Sequence, residues 1–173
     1  MSAPEIRPYD PSYPYDELTG LLKRAHAFPL IEKLVEEGRE FGLILADIDR
    51  CAYLNQDYGP AASDWAILRL AEAIQAQAGT DAIACRTAGD KFLICPPGPT
   101  DAQQAAETMR AAARNAKVED HDGEQVPTPT ITFGVALFPK HGRDLESLLC
   151  LLDEAVYQGK RASRDCVVLA GNA

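Results

Sequence analysis

Phe41 to Asp49 reads Phe-Gly-Leu-Ile-Leu-Ala-Asp-Ile-Asp, with no polar side chain before its closing acids. A strand that is apolar without alternation is buried on both faces. It therefore belongs at the centre of a sheet with a layer of structure on each side. Its end carries Asp47 and Asp49, one residue apart and so on the same side of the pleat. Paired carboxylates at the mouth of a buried strand suit Mg²⁺, which takes hard oxygen ligands together with a substrate's phosphates. They equally suit the start of a solvated loop.

A second constraint is Ile83 to Cys95, Ile-Ala-Cys-Arg-Thr-Ala-Gly-Asp-Lys-Phe-Leu-Ile-Cys. Two apolar runs flank Gly89-Asp90, a dipeptide that favours the positive φ angles of a two-residue hairpin loop. The expected structure is a β-hairpin with Phe92 and Ile94 turned to the core. An acid, Asp90, and a base, Lys91, sit at its tip, either mounted for chemistry or simply keeping the turn wet.

The remaining elements follow in order. Residues 1–15, rich in Pro and Tyr, read as a lead-in, and residues 16–173 as one domain. A helix is expected from Ala25 to Glu40 with Leu30, Leu34 and neighbouring apolar residues on one side, then the central strand, then a loop from Cys51 to Pro60 containing Asn55. Ser63 is the expected N-cap of a helix with Asp64 in its first turn and an apolar stripe of Ile67, Ala71, Ile74 and Ala78. After the hairpin, Thr100 to Gln103 resembles a capping box for a helix running to Val118. The acidic turn Glu119 to Glu124 carries His121. Thr130 to Phe138 alternates, which predicts a strand with one covered side, and Asp144 to Ala162 is a helix that delivers Lys160 and Arg164 at i,i+4 spacing. Cys166 to Ala170 closes as a strand.

This order predicts an α+β domain: a ferredoxin-like or palm-type, mostly antiparallel central sheet, a β-hairpin and helices packed on the faces. In such a core Asp47, Asp49 and Asp90 would converge, as metal-assisted phosphoryl or nucleotidyl transfer requires. The net charge of −9 disfavours nucleic-acid partners, so any phosphate must be held by a local basic cluster or a metal. No apolar run reaches the roughly eighteen residues of a membrane span, and no signal peptide is evident, which predicts a cytoplasmic chain. The five cysteines are odd in number and lack C-x-x-C spacing, so free thiols are expected.

Six motifs carry a family resemblance. They are Asp16-x-Leu-Thr-Gly-Leu; Asp47-Ile48-Asp49; Asn55 with Asp64; Arg86-x-Ala88-Gly89-Asp90-Lys91-Phe92; Phe133-Gly134-Val135-Ala136; and Asp153-Glu154-Ala155-Val156-Tyr157-x-x-Lys160 with Arg164. In order and spacing they resemble the GGDEF domain of diguanylate cyclases, from Asp16 to Gly171. The resemblance implies condensation of two GTP to cyclic di-GMP across a face-to-face homodimer. It implies Mg²⁺ at Asp47, the backbone of Ile48 and Asp90, with Asp90 also serving the 3′-hydroxyl attack. Asn55 and Asp64 would read the guanine edge, Ala88 and Gly89 would approach the phosphates, and Lys160 and Arg164 would hold the terminal phosphates.

The departures are lopsided. Lys91 stands at the fourth signature position, normally Glu, and Ala88 at the first, normally Gly. Ala52 replaces a phosphate-contacting Lys, Cys51 a Phe, Gln56 an Asp, and Ser163 a Gly. Gly79-Thr80-Asp81-Ala82 occupies the place of the Arg-x-x-Asp inhibitory site. At an effective dielectric near 20, a unit charge about 4 Å away is worth roughly 4 kcal/mol, so a cation at position 91 weakens Mg²⁺ binding strongly. The sequence therefore predicts a degenerate GGDEF domain that binds a guanine nucleotide or a regulatory protein with little or no cyclase activity. An active cyclase and a nucleotide-independent interaction module are the alternatives. Lys91 could stand in for one Mg²⁺.

Overall fold

The computed structural model describes residues 12–98, 101–119 and 123–171. The apolar run forms β2 (Phe41–Ile48), buried along its whole length. On one side it pairs antiparallel with β4 (Lys91–Cys95), which turns back to β3 (Ile83–Ala88). On the other it pairs antiparallel with β7 (Ile131–Phe138). Two short edge strands add in parallel, β1 (Leu22–Lys23) on β3 and β8 (Val167–Leu169) on β7, giving the order β1-β3-β4-β2-β7-β8. The inner four strands have the ferredoxin-like, palm-type arrangement expected from the chain order.

Alternate residues of β2 serve two cores. Ile44, Ala46 and Ile48 join Phe92 and Phe133 under α3 (Pro60–Ala78) and α4 (Ala102–Arg114). Leu43 and Leu45 join Leu93 and Phe138 under α1 (Arg24–Glu36) and α5 (Leu145–Ala162). Each large side chain so buried contributes about 1.5–3 kcal/mol, more than a surface ion pair supplies, so the cores and not the charges hold the sheet.

β7 is covered on both sides, against the expectation of one. Thr132 and Ala136, on its seemingly polar face, are fully buried. The reason is close docking of α5: a Cβ on Gly134 would lie 2.8 Å from the Leu152 carbonyl oxygen, and one on Gly159 would lie 2.7 Å from Thr132 Cγ2. Small residues here signal helix contact rather than solvent. This approach brings the last turns of α5 onto the end of β2.

Other expectations are corrected. Residues 51–58 are not a loop but a helix, α2 (Cys51–Tyr58), entered through Arg50 at φ 57 and burying only Leu54. α3 begins at Pro60, whose fixed φ and missing N–H suit a first helical position, so Ser63 lies buried inside the helix and caps nothing. The hairpin turn uses no left-handed φ at Gly89 or Asp90; a register shift between Arg86 and Ala88 absorbs the geometry. In α1 the buried residues are Ala27 and Ile31, while Leu30 is 45% exposed. α4 is capped by Asp101, which accepts from the backbone of Gln103 and Gln104, and it stops at Arg114. Its expected last turn is instead β5 (Val118–Glu119), paired with β6 (Gln125–Val126). Thr100, His121 and most of the lead-in lie outside the described residues.

Candidate functional site

Four pieces meet at the end of β2: the β3–β4 tip, α2, the first turns of α3 and the last turns of α5. The tip is fixed from two directions. Ile48 N donates to Asp90 O at 3.1 Å, continuing the sheet past the last strand residue. Arg86 Nε donates to Gly89 O at 2.8 Å, and its Nη1 donates to Asp16 Oδ1 at 3.1 Å. Asp16 also accepts from the Thr19 backbone and hydroxyl at 2.9 and 2.8 Å. Burial works to raise the Asp16 carboxyl, but the Thr19 hydrogen bonds and the Arg86 charge outweigh it and hold the group below its ordinary value. The first and fourth sequence motifs are thus one brace, a role their spacing in the chain does not reveal.

On one side of the tip lies a pocket of about 320 Å³ lined by Asn55 from α2, Asp64 from α3, and Gly89 and Asp90 from the tip. Cys51 and Ser63 also line it. The sequence named Asn55, Asp64, Gly89 and Asp90; it missed the two small polar residues. The Ser63 hydroxyl is buried against the Cys51 thiol in the pocket wall. Asn55 is exposed, and neither its amide nor the Asp64 carboxylate makes a side-chain hydrogen bond or ion pair among the described residues. These groups are free to pair with something in the pocket.

The other side is knit together internally. Lys160 reaches from α5 to form a hydrogen-bonded ion pair with Asp47 Oδ1, and its ammonium also donates to the Ile48 carbonyl at 3.2 Å. Lys91, at the start of β4, stands 3.9 Å from Asp47 Oδ2 and donates to Asp153 Oδ1 of α5 at 2.9 Å. Burial pushes the Asp47 carboxyl up, against the pull of Lys160 and Lys91 and with a further push from Asp90. The hydrogen bond to Asp153 raises the Lys91 ammonium above its ordinary value, so it stays charged. Asp153 was missed as a site residue. The available signal was its position two helical turns before Lys160, on the same face of α5.

Two expected members stand apart. Asp49 does not join Asp47 and Asp90: it accepts from Thr130 Oγ1 at 2.7 Å, Thr132 Oγ1 at 2.8 Å and Asp165 N at 3.0 Å. A carboxylate with three donors has a structural task, pinning the turn between α5 and β8 to the sheet. Arg164 is not on α5, so no helical i,i+4 pair exists. It follows the helix in that turn at φ 58, exposed, with Asp165 beside it at φ 45. Ala88 is exposed at the tip next to Gly89.

Residues 13–166 match the family model described as diguanylate cyclase, GGDEF domain. The chain belongs to the GGDEF family. It is 31% identical over 157 residues to the diguanylate cyclase VdcA of Vibrio cholerae, a match covering 89% of this chain and 46% of that protein. The chain therefore spans less than half the length of that relative. The solved GGDEF domain of TpbB (YfiN) from Pseudomonas aeruginosa gives a TM-score of 0.84 at 28% identity, covering 90% of this chain and 94% of that one. The diguanylate cyclase SiaD, solved with its activator SiaC from the same organism, gives 0.82 at 25% identity, covering 90% and 61%.

The residues that the sequence resemblance assigns to Mg²⁺ are Asp47, the Ile48 carbonyl and Asp90. Here the first two already accept from Lys160, and the second Asp47 oxygen faces Lys91. Only the Asp90 carboxylate is without an ion pair among the described residues. No group of three acidic, thiol or imidazole side chains suited to a metal occurs among those residues. In a nucleotide site Mg²⁺ takes one or two carboxylates together with the substrate's phosphates. With both Asp47 oxygens facing ammonium groups, this arrangement leaves the Asp90 carboxylate alone for a cation and fits one poorly.

Proposed function

We propose that this GGDEF domain works in cyclic di-GMP signalling as a guanine-nucleotide binder, with GTP as ligand, and synthesises little or no cyclic di-GMP. The observation that carries the reading is the pocket holding Asn55, Asp64, Gly89 and Asp90 beside an Asp47 already paired with lysine. A carboxylate such as Asp64 accepts from the N1 and N2 donors of guanine, and the Asn55 amide offers both a donor and an acceptor to the other edge atoms. Adenine presents an acceptor at N1 and would leave Asp64 facing a lone pair, so the site should prefer guanine. Lys160, and Arg164 beyond the helix end, supply positive charge for the phosphates.

Calorimetry of the intact chain with GTP, GDP and ATP tests the ligand, and equal affinity for ATP would refute the guanine assignment. Chromatography of GTP incubated with Mg²⁺ or Mn²⁺ tests the chemistry, and robust formation of cyclic di-GMP would refute the loss of activity. That outcome is the second reading, an active cyclase, and the retention of Asp47 and Asp90 speaks for it.

The proposed partners are the nucleotide and either a second copy of the chain or a regulatory protein. The named activator of SiaD and the exposed side chains of Tyr53 on α2 and Tyr157 on α5, at 63% and 62%, favour a protein partner. Among the described residues no helix is long and apolar enough to cross a membrane. A cytoplasmic setting is part of the proposal.

A further inference from the structure

The misfit between this donor set and a divalent cation has a positive side. Around Asp47 the chain places two ammonium groups where the chemistry of a nucleotide site calls for positive charge near phosphate. They are not equivalent. Lys160 is the more enclosed, its side chain 25% exposed and its ammonium shared between the Asp47 carboxylate and the Ile48 carbonyl. It pairs with Asp47 Oδ1 and engages the Ile48 carbonyl, leaving Oδ2 to face Lys91. Lys91 is half-open at the rim, and its strongest partner, Asp153, is 60% exposed.

An ion pair as solvated as Lys91–Asp153 contributes at most about 1 kcal/mol, so exchange of Asp153 for another anion is cheap. A phosphate chain offers several oxygens and more charge than one carboxylate. It would displace Asp153 from an ammonium that remains charged at neutral pH.

We propose that Lys91 takes the place of the divalent cation in this site: the phosphate end of the nucleotide binds to the ammonium groups of Lys91 and Lys160 without metal, and Asp153 is the internal anion it displaces. The inference rests on the guanine-nucleotide reading for its natural ligand, but the phosphate seat can be probed without the base. Lys91 reaches this position because Lys91 and Asp47 are register partners across β4 and β2, with Asp153 overhanging them from α5. The same register explains why a cation here bears directly on Asp47 and not on the base pocket beyond the tip.

Three probes separate the possibilities. Mn²⁺ titration followed by electron paramagnetic resonance, without nucleotide, reads the metal seat. The intact chain should bind Mn²⁺ at least about tenfold more weakly than Lys91→Glu, in which a repelling charge becomes an attracting one. Asp47→Asn in that background should remove the gain. Calorimetry with inorganic triphosphate in EDTA reads the phosphate seat. Binding should be present, no tighter when Mg²⁺ is added, about tenfold weaker in Lys91→Ala, and a few-fold tighter in Asp153→Asn, which frees the ammonium. Circular dichroism spectra matching the parent chain confirm that each variant is folded.

Guanosine, which has no phosphate, reads the base pocket alone. Triphosphate binding that appears only with Mg²⁺, or that is untouched by Lys91→Ala, overturns the proposal. So does tight Mn²⁺ binding by the unaltered chain. Triphosphate binding with no response to guanosine supports the lysine seat and removes the guanine assignment. Guanosine binding with none of triphosphate does the reverse.

Discussion

The two sides of the hairpin tip differ in where their polar groups find partners. In the proposed base half, Asn55 and Asp64 make no side-chain hydrogen bond or ion pair among the described residues. In the proposed phosphate half, Asp47, Lys91, Lys160 and Asp153 satisfy one another across β2, β4 and α5. Polar groups without protein partners pair with a ligand without first breaking an internal contact. Charges already cancelled by neighbours await nothing, and a ligand must displace one of them. One hairpin tip thus separates a side whose polar side chains are unengaged from a side whose charges are paired internally.

The largest expected effect probes the scaffold that both halves share. Asp49 is 2% exposed and holds three donors, so Asp49→Ala strands them and should cost about 3 kcal/mol or more of stability, read by urea denaturation. A loss below about 1 kcal/mol would mean that the turn carrying Arg164 and Asp165 is not pinned by this carboxylate.

Gly159→Ala comes next, because its Cβ would fall 2.7 Å from Thr132 Cγ2. The clash should cost about 1–3 kcal/mol and shift Lys160 away from Asp47. The phosphate half would then weaken while guanosine binding holds, which sharpens the contrast between the halves. Equal loss of both ligands would blur it.

Asp64→Ala should lower guanosine and GTP affinity by about tenfold or more yet change stability by less than about 0.5 kcal/mol, since the carboxylate has no internal partner to lose. A large fall in stability would show that the base half is knit together after all.

The smallest effect is one of pH. Asp16 titrates below its ordinary value of 3.8 because the Thr19 hydrogen bonds and Arg86 overcome the opposing effect of burial. A depressed carboxyl contributes stability that is complete above the unfolded value and is lost as pH falls through the folded one. Denaturation midpoints should therefore decline below pH about 4, and Asp16→Asn should flatten that decline. An unchanged acid slope in the variant would remove Arg86–Asp16 as the brace of the tip.

What was legible in the chain follows from periodicity. The hairpin and the stripe of α3 were readable because each buries a repeating set of side chains, and β2 because its apolar run is unbroken. α2 was not. It buries Leu54 alone and starts from a left-handed Arg50, so its stability comes from neighbours and leaves no local pattern. The start of α3 was misplaced because Ser63 looks like a cap, whereas Pro60 already provides a rigid first residue. β7 was read as one-sided because Thr132, Gly134 and Ala136 are small or polar, the composition that lets α5 come close. In the site, Asn55, Asp64, Asp47 and Lys160 were legible as motif positions. The pairing of Lys91 with Asp153 was not, since 62 residues separate them and only the fold brings them together. Asp49 shows the converse: a motif carboxylate whose hydrogen bonds all serve the scaffold.

The most direct test is calorimetric titration of GTP into the intact chain, first in EDTA and then in excess Mg²⁺. Lysine in place of the cation predicts measurable binding in EDTA that the metal does not tighten. Binding seen only after Mg²⁺ is added would contradict it.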